Sequence, residues 1–159
     1  MAKILVTYYS RGGATAKMAE EVAQGAREVD GAEVTLREVA EVDPKGLVEW
    51  DGIIAGSPTY YGLMAAEVKA LFDASVAVHG RLEAKVGGAF TSAGNLGGGN
   101  ETTILSILEA MLIHGMVVRG TAQRDHYGPV AIGAPDQRAV EECRKLGRNV
   151  AELGVRLHG

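Results

Sequence analysis

The chain has 159 residues, 47% hydrophobic and 23% charged, with a net charge of −4 at pH 7. That length supports one domain with a sizeable core, so 1–159 is expected to form a single domain. The charge bias is too mild to imply a strongly basic partner, and no Lys/Arg cluster marks a nucleic-acid surface. One cysteine, Cys143, leaves neither an internal disulfide nor a cysteine-based metal site. The opening "MAKILVTYY" lacks the features of a signal peptide, and no apolar run reaches membrane-spanning length. A cytoplasmic protein is the expectation.

"KILVTYY" (3–9) is a continuous apolar run and predicts a buried strand. Residues 14–29 have helical spacing, with Met18, Val22, Ala26 and Val29 on one face, and Gly31 supplies a stop. "EVTLREV" (33–39) alternates and predicts a strand at a sheet edge or with one wet face. Residues 43–50, broken by Pro44 and Gly46, predict a turn with a small helix. "DGIIAGS" (51–57) predicts a third strand, and 65–76 a helix with Val68, Leu71 and Phe72 inward. "KVGGAFTSA" (85–93) is a fourth strand, 100–115 a helix with Ile104, Ile107, Leu108 and Met111 inward, and 116–120 a fifth strand. The stretch 121–135 is loop-like, although "PVAIGA" (129–134) has the composition to continue the fifth strand. A last helix is predicted over 136–157, packing through Val140, Cys143, Gly147, Val150 and Leu153 or Gly154. Strand and helix alternate throughout, and crossovers of helical length join parallel strands. The simplest product is an open parallel α/β sheet covered on both faces.

Three loops stand out: "SRGGAT" (10–15), "SPTYYG" (57–62) and "TSAGNLGGGN" (91–100). In an open α/β sheet all three lie beyond the carboxyl ends of strands, where ligands bind at the point of strand-order reversal. The first loop carries neither a dinucleotide fingerprint nor a Walker motif. Ser10 and Thr15 nevertheless bracket two glycines before a helix N-terminus, an arrangement suited to a phosphate. A tight turn with Thr15 near the cap fits the same residues. Tyr60 and Tyr61, at a ligand mouth, suit a flat partner or ordinary packing under the loop. The third loop offers many amides and little bulk, fitting either the oxygen-rich edge of a planar ring or a flexible surface turn.

The stretches "AKILVTYYS", "MAEEVAQGAREVDGAEV", "DGIIAGSPTYYG", "AFTSAGNLGGGNETTI" and "IHGMVV" resemble flavodoxin-fold proteins that bind flavin mononucleotide (FMN). More narrowly, the chain is similar to the FMN-dependent NAD(P)H:quinone oxidoreductases once called tryptophan-repressor-binding proteins. The resemblance implies a flavodoxin-like three-layer α/β sandwich with a five-stranded parallel sheet of order 2-1-3-4-5. It implies that Ser10, Arg11, Gly12, Gly13, Ala14 and Thr15 wrap the FMN phosphate. Pro58, Thr59, Tyr60, Tyr61 and Gly62 would border the isoalloxazine. Ser92, Ala93, Gly94, Asn95, Gly97 and Gly98 would contact its pyrimidine side. His114 matches a histidine that those enzymes place near the flavin, often beside a neighbouring subunit, where it would polarise or protonate a quinone oxygen. The other reading of His114 is a helix-terminal histidine capping a carbonyl. His126, with Tyr127, is expected to form a further wall. The implied activity carries two electrons from NADH or NADPH to a quinone or similar small acceptor, in a homodimer or homotetramer. The chain departs from that family in its short 39–50 segment. It also has Tyr60-Tyr61 where the family has an arginine–phenylalanine pair, and no flavin-flanking tryptophan in "ASVAVHGRL" (74–82).

Two other functions fit the same fold. A flavodoxin-type carrier would pass single electrons between protein partners, although such carriers tend to be more acidic. A receiver domain needs acidic residues after the first strand, and "YYSRGG" has none.

Overall fold

The computed structural model describes residues 1–159. In chain order the elements are β1 (Ala2–Tyr8), α1 (Ala14–Arg27), β2 (Ala32–Glu38), β3 (Gly52–Pro58), α2 (Ala66–Ala74), β4 (Val86–Ala93), α3 (Asn100–Ile113), β5 (Val117–Val118), β6 (Val130–Ile132) and α4 (Gln137–His158). The sheet runs β2-β1-β3-β4-β5 with every pairing parallel. The fold is therefore the expected α/β sandwich of order 2-1-3-4-5. Its fifth place is shared: β5 pairs with Val86 and Gly87 at the start of β4, and β6 with Thr91, Ser92 and Ala93 at its end. The apolar residues of "PVAIGA" do continue the fifth strand, after an excursion over 119–129.

Alternation along β1 sorts the two cores. Ala2, Ile4 and Val6 face α1 and α4, joining Met18, Val22, Cys143 and Val150. Leu5 faces the other layer, with Val68, Leu71, Ile104, Ile107 and Met111 of α2 and α3. Helices α1 and α4 touch backbone to backbone. A methyl on Gly147 would strike the Val22 carbonyl, and one on Gly25 the Arg144 carbonyl. Strand β2 is the wet edge, with no fully buried residue.

Several boundaries differ from expectation. Helix α2 stops at Ala74 and tightens into a 3-10 turn over Ser75–Val78, because the Ser75 hydroxyl donates to the Phe72 carbonyl at 2.6 Å. The segment between β2 and β3 forms two 3-10 turns, Val39–Glu41 and Pro44–Glu49, the second capped by Asp43. Val29 lies beyond the end of α1, and Val140 is only half-buried; Ala139, Leu146 and Ala151 complete the α4 stripe instead.

The chain runs from β1 outward to β2, then crosses back to β3 on the other side of β1. Strand order reverses there, and the loops after β1, β3 and β4 meet at this carboxyl edge.

Candidate functional site

The first loop turns directly into α1. Gly13 caps the helix with φ +94°, a left-handed conformation that glycine tolerates. Its amide donates to Ser10 Oγ at 3.1 Å, which leaves the Ser10 proton free. The amides of Arg11, Gly12, Ala14, Thr15 and Ala16 have no protein acceptor. Five bare N–H groups thus collect at the positive end of a helix dipole. A Cβ at Gly12 or Gly13 would meet nothing within 4 Å, so the cradle is open. These residues fit a phosphate: donors, a helix N-terminus and room.

Thr15 behaves differently from Ser10. It is buried, and Thr15 Oγ1 shares a 2.8 Å hydrogen bond with Ser92 Oγ on β4. Its hydroxyl ties the first loop to the base of the third.

The second and third loops are held against each other. The Thr59 amide donates to the Ser92 carbonyl at 2.7 Å, and Thr59 Oγ1 and Thr91 Oγ1 lie 2.9 Å apart. A Cβ on Gly99 would come within 2.5 Å of Gly62 Cα, so this contact requires glycine at position 99. Tyr60 and Leu63 exchange backbone hydrogen bonds at 3.1 Å, making a tight turn. The Tyr60 ring packs edge-on against Tyr9, with centroids 6.5 Å apart. Tyr61 is fully exposed with φ +51°, a conformation unusual for a residue with a side chain. Pro58 is half-buried at the end of β3. Of the two tyrosines, Tyr60 is a packed wall and Tyr61 a free ring.

In the third loop, Ser92 and Ala93 are buried at the end of β4, whereas Gly94 to Gly98 are exposed. Buried Asn100 latches the turn: its Oδ1 accepts from the Gly97 amide at 3.1 Å and its Nδ2 donates to the Asn95 carbonyl at 3.4 Å. The amides of Gly94, Asn95 and Leu96 have no acceptor, and a Cβ at Gly94 or Gly97 would meet open space. This second set of bare donors suits an oxygen-rich ring edge.

His126 stands on the excursion before β6. Its Nδ1–H donates to the Thr121 carbonyl at 2.9 Å, and with Glu101 and Tyr127 it lines a small cavity of about 90 Å³. Glu101 lies in the first turn of α3, so His126 flanks the third loop from the β6 side.

His114 requires a correction. Helix α3 begins at the third loop and runs back toward the amino edge of the sheet, and His114 caps its far end. Fourteen residues at about 1.5 Å each carry it roughly 21 Å away from the loops. There it is buried, its ring 5.7 Å from that of His79. Because the only Ser75 proton goes to Phe72, His114 Nε2–H donates to Ser75 Oγ at 2.7 Å. Nδ1 is then a bare buried acceptor. Burial, reinforced by His79, holds the His114 pKa below the ordinary histidine value. Within one chain His114 cannot reach a ligand in the cradle.

Asn100 and Tyr9 also shape the site, beyond the residues the three loop patterns marked. Asparagine between a glycine run and a helical stretch was the available signal for the first, since asparagine favours helix starts.

A helix N-terminus and three converging loops at a sheet's switch point define a doubly wound α/β protein built to take a phosphorylated, flat ligand. A family model described as flavodoxin matches residues 6–87. A flavodoxin of Aquifex aeolicus is 41% identical over 160 aligned positions, covering 96% of this chain and 86% of the relative. An NAD(P)H dehydrogenase (quinone) of Archaeoglobus fulgidus is 34% identical over 191 positions, covering 99% of this chain and all of the relative. The crystal structure of a WrbA-like flavodoxin from Agrobacterium tumefaciens superposes with a TM-score of 0.83 at 27% identity, covering both chains in full. The chain belongs to the flavodoxin family.

Proposed function

We propose that this protein binds FMN in the three-loop cradle and transfers two electrons from NAD(P)H to a quinone. The observation that carries the reading is the pair of bare-amide sets: one at the α1 N-terminus for the phosphate, one over Gly94–Leu96 for the ring edge. The full-length similarity to an NAD(P)H dehydrogenase (quinone) supports the same reaction class. Bound FMN supplies the hydride-accepting and electron-donating chemistry.

The residues of the chain bind and orient. Ser10 and the bare amides of Arg11, Gly12, Ala14, Thr15 and Ala16 hold the phosphate. Pro58, Thr59, Tyr60 and Gly62 form the wall along the ring, and Tyr61 covers its outer rim. Ser92, Ala93 and the Gly94–Gly98 turn would hold the oxygen-rich edge of the ring, where their bare amides would favour negative charge. His126 flanks the ring site from the β6 side of the third loop. His114 is dropped from the site of its own chain.

The reading extends to a cytoplasmic homodimer or homotetramer. Tyr61, Leu63 and Leu96 stand exposed around the cradle, an apolar rim that a second copy would cover. No helix is long and apolar enough to cross a membrane.

The Aquifex relative, a flavodoxin, favours a second reading: a carrier that moves electrons between protein partners. Steady-state assay of the FMN-loaded protein with NADH or NADPH and benzoquinone separates the two. Catalytic oxidation of the nicotinamide supports the enzyme. Its absence, with retained electron transfer to a redox protein, supports the carrier.

A further inference from the structure

A second concave surface lies beside the first loop, toward β2. It encloses about 390 Å³ and is lined by Tyr9, Glu38, Val39, Val42, Glu67 and Leu71, among others. Its floor is apolar, because Val39, Val42 and Leu71 belong to the core under α2. One wall is the Tyr9 ring, which also meets Tyr60 of the second loop. The groove therefore shares a wall with the cradle. Its rim carries two carboxylates: Glu38 is the last residue of β2, and Glu67 sits in the first turn of α2. Neither forms an ion pair, and no Lys or Arg lines the groove. Burial, then the Glu67 carboxylate, push the Tyr9 hydroxyl pKa up.

We propose that this groove holds the adenosine half of the nicotinamide donor, and that Glu38 and Glu67 select NADH over NADPH. The inference rests on the NAD(P)H reading above. Glu38 also caps the Val39–Glu41 turn and Glu67 accepts from the Tyr9 hydroxyl, so each carboxylate keeps free lone pairs but no cation. The occupant must offer a flat face to Tyr9, hydroxyl donors to those lone pairs, and no negative charge beside them. An adenosine with free ribose hydroxyls meets all three conditions. A 2′-phosphate sets a dianion beside two carboxylates that form no ion pair. In nucleotide-binding β-α-β units, a carboxylate near the end of the second strand takes ribose hydroxyls, and an arginine takes a 2′-phosphate. Glu38 occupies the carboxylate's station. The α1 N-terminus is assigned to the FMN phosphate, which leaves Arg11 for the pyrophosphate; this side chain is close enough to Tyr9 to act on its hydroxyl.

The test compares kcat/KM for NADH and NADPH with one quinone, in wild type and in Glu38→Gln and Glu67→Arg. Wild type is expected to favour NADH at least about tenfold, the scale of one partly screened charge contact. Glu67→Arg is expected to shift the ratio toward NADPH by about tenfold or more, with the change in KM. Calorimetry on the FMN-loaded protein gives a readout without turnover: ADP-ribose binds at least about tenfold more tightly than 2′-phospho-ADP-ribose, and Glu67→Arg narrows the difference. Equal use of both nicotinamides, an unchanged ratio in both variants, or absence of ADP-ribose binding would overturn the proposal. If wild type turns over neither nicotinamide, the enzyme reading fails, and the ADP-ribose calorimetry alone decides the groove.

Discussion

Thr15→Val removes one partner of the buried hydroxyl pair that ties the first loop to β4. In wild type, Thr15 Oγ1 and Ser92 Oγ lie 2.8 Å apart, and both residues are buried. The valine leaves the Ser92 hydroxyl buried without a partner, which costs about 1–3 kcal/mol. Ser92→Ala strands the Thr15 hydroxyl in the same way, at a similar cost. The double variant strands nothing and loses only the net value of one hydrogen bond, about 0.5–1.5 kcal/mol. The two single costs should therefore exceed the double cost, with a coupling energy on the order of 1 kcal/mol or more. Urea unfolding of the four FMN-free proteins measures this cycle. In a chain of this size each kcal/mol also moves Tm by about 2–4 °C. The same tie sets the spacing between the phosphate loop and the third loop, so Thr15→Val should weaken FMN binding about tenfold, or about 1.4 kcal/mol. Additivity of the single variants to within about 0.3 kcal/mol would refute the coupling and, with it, the tie between loops.

Gly147→Ala places a methyl against the Val22 carbonyl and forces α1 and α4 apart. It should cost about 1–3 kcal/mol and lower Tm by several degrees, whereas an unchanged melting curve would contradict that contact. His114 is held neutral below its ordinary pKa of 6.5, so the unfolded chain binds the extra proton first as pH falls. Stability from this residue is present above about pH 6.5, decreases below it, and is lost once pH passes the lowered folded value. His114→Asn should flatten the wild-type decline in urea-unfolding free energy between about pH 7 and 5; an identical slope in both proteins would remove His114 as its source. Burial, then Glu21, push the Cys143 thiol up to about 12. Ellman's reagent should leave the folded protein untouched and react as it unfolds, and rapid native labelling would contradict that burial.

Much of this architecture was legible because local patterns and tertiary demands agreed. The alternation of "EVTLREV" matches an edge strand, the apolar runs of β1 and β3 match strands buried on both faces, and "PVAIGA" carried enough apolar residues to complete the split fifth strand. The three loops were visible as glycine and hydroxyl clusters after strands, and strand order brings them to one edge. Side-chain direction was not legible. Thr15 looked like an open donor, and only the register of β4 turns it onto Ser92. Tyr60 and Tyr61 are neighbours in sequence, yet the turn closed by Leu63 packs one and frees the other. His114 was misplaced because resemblance matched its neighbours along the chain without fixing which end of α3 reaches the loops. A helix that starts at the site must end at the opposite edge of the sheet. The groove at Tyr9 was invisible for a related reason: Glu38 and Glu67 are distant in sequence and meet only through the β2 edge and the start of α2.

The most direct test of the flavin-cradle account is an anaerobic titration of the FMN-loaded protein with NADH, followed by benzoquinone. Equimolar NADH should bleach the yellow absorbance of the bound flavin, and equimolar quinone should restore it. A purified protein that fails to retain FMN, or bound FMN that dithionite bleaches while neither NADH nor NADPH does, would contradict it.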